Sequence, residues 1–432
     1  MKKFENTSLE VKTEGPNTMF QTNMRVLCLF NSYWNIVRRN EIAPITGGEG
    51  HMLEVGKIWT RLGVNVEMVT TKSGYAVCRD HGLRVNSFVL PLDGNRLGVI
   101  ASYLMRMFQG LLIAWKLRHE AICAYSSTDI LPDILPALVV KFLNYRKPIM
   151  VCWVFHLVSH FSTRRGSKMQ NIISFLSQEV SHAIMRRYSD VIFVDNSQVK
   201  AELNSIGFHK DRIHVVPLGI DKESIDNSEP IPSASYDACY LGRLHATKGV
   251  NDLADIWRFV TDVKKSAKLA VIGSDPTGSM LRKLQEKFRQ YDLKGNVDFL
   301  GLVPRKSLFS VLKTCKIFLF PSYEEGWGIA VCEAMAAGLV PVVYDLPPYR
   351  EFFQGGVVTV PIGDRRALAN AVIELLSDEE KRIELKQKAV LCASQYSWDN
   401  TASRELQVIR NRVAMSRDER GPCRRHFIHF ST

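Results

Sequence analysis

Nine cysteines lie scattered along the 432 residues, an odd number with no CxxC pair among them. That excludes a disulfide framework and points to a reducing compartment. No His/Cys/Asp cluster has metal-ligand spacing, so no metal centre is expected, and His426 and His429 near the C-terminus read as incidental. The opening Met1-Lys2-Lys3-Phe4-Glu5-Asn6-Thr7 lacks an apolar core of signal-peptide length. Residues 1–23 read as a polar tail, and Met24 opens the first strand. No apolar run is clean enough to span a bilayer. The longest, Leu97 to Leu117, carries Arg106, Gln109 and Lys116. On a helix those three fall on one narrow stripe and leave a wide apolar surface, which reads as a core helix or as one that also touches a membrane surface. No RNA-recognition or zinc motif accompanies the basic composition, which leaves nucleic-acid binding as the weaker reading and no nucleic acid is expected as a partner.

What is present begins with length. A chain this long exceeds the size at which single cores stop growing, so two domains are expected. The net charge of +12 is uneven. Residues 24–220 carry 23 Lys and Arg against 14 Asp and Glu, whereas residues 221–413 carry 26 against 25. A basic half beside a neutral one suggests that the first domain meets something anionic, such as acidic lipid headgroups or a lipid-linked phosphate, unless the cations merely solvate a surface.

Short β-rich runs alternate with helical stretches through the first half: Arg25 to Phe30, Val64 to Thr70, Ala121 to Tyr125, Ile149 to Val154, Val191 to Val194 and Ile213 to Val216. The pattern pauses at Pro217 to Asp221, and a Ser/Pro-rich stretch follows from Asn227 to Ser235. A second alternation runs through Tyr236 to Leu241, Leu269 to Ile272, Val297 to Leu300, Ile317 to Phe320 and Val340 to Val343. Two doubly wound parallel sheets follow, with a cleft between them and ligands at the carboxyl ends of the strands.

The most informative string is Pro321-Ser322-Tyr323-Glu324-Glu325-Gly326-Trp327-Gly328-Ile329-Ala330-Val331-Cys332-Glu333-Ala334-Met335-Ala336. A buried strand, a glycine turn and a helix start form an anion site, because the first helical amides point outward without partners. Glu325 and Glu333 bracket it, although a lone Glu there could equally cap the helix or decorate its surface. Gly242-Arg243-Leu244-His245-Ala246-Thr247-Lys248-Gly249 follows the first strand of the second half. A guanidinium fork and an ammonium at a strand end can clamp a diphosphate, or be two surface cations. Thr46-Gly47-Gly48-Glu49 opens the first helix with capping-box spacing, and its glycines let a phosphate approach the backbone. A long loop, residues 32–45, separates it from its strand. His156 lies just beyond a strand's carboxyl end, where most histidines only satisfy hydrogen bonds. Asp195-Asn196-Ser197 reads as a helix cap.

The sixteen-residue string resembles the signature of glycosyltransferase family 4, in which two Glu eight positions apart flank a Gly-aromatic-Gly turn. Only Glu325 has that spacing to Glu333; the same step from Glu324 lands on Cys332. The Gly-Arg…Lys-Gly string and the strand-end His156 are similar to further motifs of the family, and the resemblance covers about Arg25 to Arg412. It implies the GT-B architecture: an N-terminal Rossmann-like domain at 24–217, a C-terminal one at 218–395, and a crossover helix at 396–414 returning to the first, with 415–432 as a disordered basic tail. It implies retaining transfer of a sugar from a nucleotide-sugar donor to an acceptor hydroxyl, in cell-surface polysaccharide or glycolipid synthesis. The alternative within this architecture is a phosphorylase or storage-sugar synthase. The implied catalytic set is Glu325, Arg243, Lys248 and His156, whose carbonyl is expected near the anomeric carbon. The implied donor-binding set is Gly47, Gly48, Gly326, Trp327, Gly328, Ile329 and Glu333, with Glu333 on the ribose. No cofactor or metal is expected. The partners implied are the nucleotide-sugar and a glycan or lipid-linked acceptor. The basic first half and the apolar face of Leu97 to Leu117 add, as a further expectation, peripheral contact with an anionic membrane surface from a cytoplasmic location.

Overall fold

A computed structural model describes residues 24–31, 47–80, 83, 86–89, 99–119, 121–157, 168–232, 235–275 and 278–418. Residues 1–23, the 32–45 loop, Thr46 with its capping contact, and the tail from 419 lie outside the described residues. The first half runs β1 (Arg25–Phe30), α1 (Gly47–Arg61), β2 (Asn65–Thr70), α2 (Lys72–Asp80), β3 (Asn86–Val89), α3 (Val99–Leu117), β4 (Cys123–Ser126), α4 (Leu131–Leu143), β5 (Ile149–Val154), α5 (Lys168–Tyr188), β6 (Val191–Val194), α6 (Ser197–Ser205) and β7 (Ile213–Val215). After α7 (Lys222–Asp226) come β8 (Tyr236–Leu241), α8 (Val250–Val263), β9 (Leu269–Ile272), α9 (Ser279–Gln290), β10 (Val297–Gly301), α10 (Arg305–Lys313), β11 (Cys315–Phe320), α11 (Ile329–Ala336), β12 (Val340–Tyr344), α12 (Pro347–Phe352) and β13 (Val358–Val360). Helices α13 (Arg365–Ser377), α14 (Glu379–Ala393) and α15 (Trp398–Asp418) close the chain.

Seven parallel strands form the first sheet in the order β3-β2-β1-β4-β5-β6-β7, and six form the second in the order β10-β9-β8-β11-β12-β13. Every side chain of β5 is buried, as a strand covered on both faces requires. In each sheet the chain reverses its winding direction beside the first strand, between β1 and β4 and between β8 and β11. Loops diverge at those two points and open a crevice at the strands' carboxyl ends. Strands β3 and β13 and helices α2, α7 and α12 escape a reading of the sequence because each is short, and Asn86, Ser87 and Thr359 interrupt their apolar runs.

The two chain crossings between sheets meet each other. Ile220 bridges to Ser397, the Thr401 hydroxyl donates to the Pro217 carbonyl (2.9 Å), and a Cβ on Gly219 would lie 2.3 Å from the Trp398 nitrogen. Helix α15 then lies on α1 of the first domain and runs to Asp418, beyond the expected end at Ala414. A fully buried network fastens it: Glu405 contacts His51 Nε2 at 2.6 Å and accepts from the Tyr125 hydroxyl at 2.7 Å. Trp59 adds an indole bond to the Ala402 carbonyl (2.9 Å).

Helix α3 departs from the core-helix reading of Leu97 to Leu117. Two of its three polar positions turn inward: Arg106 is fully buried and donates to the Asn31 carbonyl beyond β1 (3.4 Å), and Gln109 is buried beside it, whereas Lys116 near the helix end is exposed. The reason is the close crossing of α3 over α4 at Gly110, where a Cβ would sit 3.1 Å from the Pro136 ring. That contact rolls the wide apolar face outward. Among the described residues no helix is long and apolar enough to cross a membrane.

Candidate active site

The second sheet's reversal point brings two loops together. The loop after β8 carries Arg243 and Lys248; the loop after β11 carries Ser322 to Gly328. They touch because Gly249 adopts φ +69° and lacks a Cβ, which would otherwise lie 1.7 Å from the Pro321 carbonyl oxygen. The Tyr323 amide then donates to the Thr247 carbonyl (2.8 Å). In that register Lys248 Nζ meets Glu325 Oε1 at 2.7 Å and also donates to the Glu324 carbonyl at 3.0 Å. The buried Ser322 hydroxyl lies 2.7 Å from the same Glu325 oxygen. Glu325 is thereby held in place by an ammonium and a hydroxyl, with charge-assisted bonds of about 1.5–3 kcal/mol each. Arg243 stays exposed at the strand end, its guanidinium without a carboxylate partner among the described residues.

Beyond Glu325 the chain turns through Gly326-Trp327-Gly328 into α11. Gly328 takes φ +101° as the residue before the helix, and its missing Cβ clears the Tyr349 ring, which it would approach to 2.9 Å. Ile329 begins the helix, so the first α11 amides face the turn. Trp327 is buried among Phe352, Phe353 and Tyr396, so its ring belongs to the core and only its backbone is left for a ligand. Glu333, one turn into α11, is buried and ion-paired to Arg305 of α10 at 2.6 Å, a contact without hydrogen-bond geometry.

The first domain supplies the facing wall. A Cβ on Gly326 would lie 2.5 Å from Asp195 Oδ2 and 3.4 Å from the Phe155 carbonyl oxygen, so this turn abuts the carboxyl ends of β5 and β6. Asn196 caps α6 by accepting from the Val199 amide (2.8 Å) and also donates to the Gly326 carbonyl across the cleft (2.7 Å). Ser197 donates from its hydroxyl to Glu351 (2.6 Å). Gly47 and Gly48 lie inside the first turn of α1 rather than in a turn before it, and a Cβ on Gly48 would press the Phe155 ring at 3.0 Å. His156 follows Phe155 with its imidazole exposed, and its carbonyl accepts from Gln178 Nε2 (3.1 Å), which also donates to Asp129 (2.7 Å). Burial pushes the Asp195 carboxyl up to about 8, and the negative charges of Glu351 and Glu325 act in the same direction.

The family signature described as "Glycosyltransferase Family 4" matches residues 45–224, and that described as "Glycosyl transferases group 1" matches residues 221–390. The chain belongs to glycosyltransferase family 4. It is 28% identical over 257 residues to a D-inositol 3-phosphate glycosyltransferase of Corynebacterium urealyticum, covering 55% of this chain and 60% of that protein. It is 27% identical over 202 residues to a phosphatidyl-myo-inositol mannosyltransferase of Mycobacterium leprae, covering 45% and 52%. The chain thus spans half to three-fifths of these two relatives. Among solved structures it is similar to Anabaena Alr3699/HepE in complex with UDP and glucose (TM-score 0.69, 15% identity, covering 90% of this chain and 100% of that one). It is similar also to sucrose-phosphate synthase from Thermosynechococcus elongatus (TM-score 0.72, 17% identity, 91% and 100%). The fold is GT-B.

Within this family 4 chain, Arg243, Lys248, Glu325, Gly326, Gly328 and Ile329 gather around the β8/β11 reversal point, while Gly48 and the His156 backbone stand near Phe155 opposite. Reasoning from sequence left three contributors without a site role. Ser322 sat in the quoted motif, and its proximity to Glu325 was readable there. Asn196 was legible as a cap but not as a bridge between domains. Arg305 had no signal, because only the fold brings α10 against α11.

Proposed function

We propose that the chain is a retaining glycosyltransferase that moves a sugar from a nucleotide-sugar to an acceptor hydroxyl in polysaccharide or glycolipid synthesis. The observation that carries this reading is the Lys248–Glu325–Ser322 cluster, set beside Arg243 and the start of α11 and faced by Gly48 and Phe155. A departing diphosphate would be stabilised by Arg243, Lys248, the first α11 amides and the start of α1. The bond from C1 to the leaving phosphate oxygen breaks. The acceptor oxygen bonds to C1 on the same face and passes its proton to that phosphate oxygen. Glu325, already neutralised by Lys248, serves better as an acceptor for donor-sugar hydroxyls than as a nucleophile. Glu333 binds ribose hydroxyls, its carboxylate steadied by Arg305. No metal is required, because cations and helix termini take that role, and full turnover in chelator is expected.

Thermal-shift screening against UDP-, GDP-, ADP- and dTDP-sugars tests the donor site, and NMR of the product's anomeric carbon tests retention. Stabilisation by one nucleotide class with an unchanged anomeric configuration is expected. Silence across all four, or inversion, counts against the reading. The likeness to sucrose-phosphate synthase favours one second reading, a storage-sugar synthase or phosphorylase. Release of sugar phosphate with inorganic phosphate, or transfer to a free sugar, separates the two.

A further inference from the structure

Asp252 stands in the first turn of α8, just after Lys248 and Gly249. As sequence it is an acid that complements a helix N-terminus. In the fold it is buried, and its carboxyl binds side chains from three other parts of the second domain. Asp252 Oδ2 accepts from the Tyr323 hydroxyl at 2.6 Å and from the Tyr344 hydroxyl at 2.9 Å, and Oδ1 lies 3.2 Å from Arg365 Nε. Tyr323 belongs to the loop after β11 that carries Glu325, Tyr344 ends β12, and Arg365 begins α13. Burial and the bonds to Asp252 push both phenols above their usual range, which keeps them protonated as donors.

Tyr323 is gripped at two points. Its amide donates to the Thr247 carbonyl (2.8 Å) and its hydroxyl reaches Asp252, so backbone and side chain hold residues on either side of Lys248. Between those points the Ser322 hydroxyl lies 3.2 Å from the Thr247 carbonyl, and Lys248 Nζ donates to the Glu324 carbonyl. The Tyr323 ring stands 5.2 Å from that of Tyr344, and a Cβ on Gly363 would lie 3.7 Å from the Tyr323 hydroxyl, so the phenol is enclosed on two sides. The anchor is itself braced. Arg365 also contacts Asp255, which accepts from the Tyr291 hydroxyl (2.7 Å) and pairs with Lys287 (2.8 Å). A turn from Ser322 to Gly328 with two glycines has many shapes open to it, and fixing Tyr323 at both ends removes most of them just before Glu325.

We propose that Asp252 is a positioning residue for transfer: through the Tyr323 hydroxyl it fixes the turn that sets Glu325 against Lys248. The inference rests on the transferase reading for what Glu325 does; the order of the turn is measured without turnover. Tyr344 is the internal control. It gives the same carboxyl an equivalent hydrogen bond from the buried end of β12, and it carries no part of the turn. If Asp252 served only the core, losing either phenol would matter, and the buried Tyr344 would matter more. A carboxyl that positions the turn is felt at the site only through Tyr323.

The test compares Tyr323→Phe with Tyr344→Phe in the full-length protein, using the donor class found in the thermal-shift screen. Tyr323→Phe is expected to lower kcat by about tenfold or more. Its affinity for the matching nucleoside diphosphate (UDP, GDP, ADP or dTDP) should stay within about twofold in calorimetry, because Arg243 and Lys248 are left in place. Tyr344→Phe is expected to keep kcat within about twofold while losing more thermal stability, since its hydroxyl is the more buried. Amide hydrogen exchange of residues 321–328 should quicken in Tyr323→Phe alone. Asp252→Asn retains an oxygen for both phenols and is expected to keep kcat within about threefold, whereas Asp252→Ala should match Tyr323→Phe. A Tyr323→Phe protein with wild-type kcat, or a Tyr344→Phe protein that loses as much kcat, overturns the proposal. So does wild-type exchange of residues 321–328 in Tyr323→Phe. Faster exchange in that variant, in a protein that answers no nucleotide-sugar, would keep the anchoring of the turn and sink the transferase reading instead.

Discussion

In the second domain the principal carboxylate, Glu325, sits at the cleft and meets Lys248 at 2.7 Å through two loops that follow adjacent strands. In the first domain the comparable carboxylate, Glu405, is fully buried away from solvent and comes from the last helix of the chain, where it meets His51 and Tyr125. The first pair stands where a ligand can use it. The second fastens the end of the polypeptide to a domain begun some three hundred and fifty residues earlier. One pair faces the cleft and the other lies inside the fold. A buried polar network of this kind is costly to break from one side, because the remaining partners are left desolvated and unpaired.

Four substitutions break or sharpen that contrast. Glu325→Ala is expected to reduce transfer by about a thousandfold or more while lowering the denaturation midpoint less than Glu405→Ala does, measured by product formation and urea unfolding. Equal loss of stability would mean that Glu325 serves assembly as Glu405 does. Glu405→Ala should do the reverse, destabilising the fold by about 3–5 kcal/mol in urea titration as His51 and Tyr125 lose their acceptor. Arg243→Ala combined with Lys248→Ala is expected to weaken nucleotide-sugar binding by about a hundredfold in calorimetry. Normal affinity in that double variant would remove the diphosphate clamp from the site.

The smallest effect concerns the seam between domains. The Asp195 carboxyl has a pKa raised from the usual 3.8 to about 8 by burial, against Gly326. A carboxyl with a raised folded-state pKa contributes stability that is complete below its unfolded pKa and is lost as pH rises through the folded value. Between about pH 4 and 8 the unfolded chain has lost this proton while the folded one keeps it, so thermal stability should decline across that window and level off above about 8, and Asp195→Asn should flatten the decline. A pH profile unchanged by the substitution would place the titrating group elsewhere.

Much of the fold was legible because parallel strands buried on both faces are nearly continuous apolar runs. Ile149–Val154, Val191–Val194, Tyr236–Leu241 and Leu269–Ile272 have the bounds that their runs suggest. Edge strands β3 and β13 were not legible, since Asn86, Ser87 and Thr359 leave them no apolar run, whereas β7 was read despite its three residues. The orientation of α3 misled for a different reason. Its narrow polar stripe would ordinarily face water, but Gly110 crossing Pro136 and Arg106 reaching the Asn31 carbonyl turn two of its three positions inward. Within the site, Trp327 reads from its motif as a ligand contact, yet its ring packs with Phe352, Phe353 and Tyr396.

The two alternating sheets, the glycines of the turns and the spacing of Glu325 to Glu333 follow from local pattern, because each is a property of backbone freedom and periodicity. What those residues meet follows from the way the chain packs in three dimensions. Lys248 reaches Glu325 across 77 positions, Asn196 reaches Gly326 across 130, and Glu405 reaches His51 across 354. Such pairings depend on strand order and on where the chain crosses between domains, and no local pattern of residues encodes a distance in space.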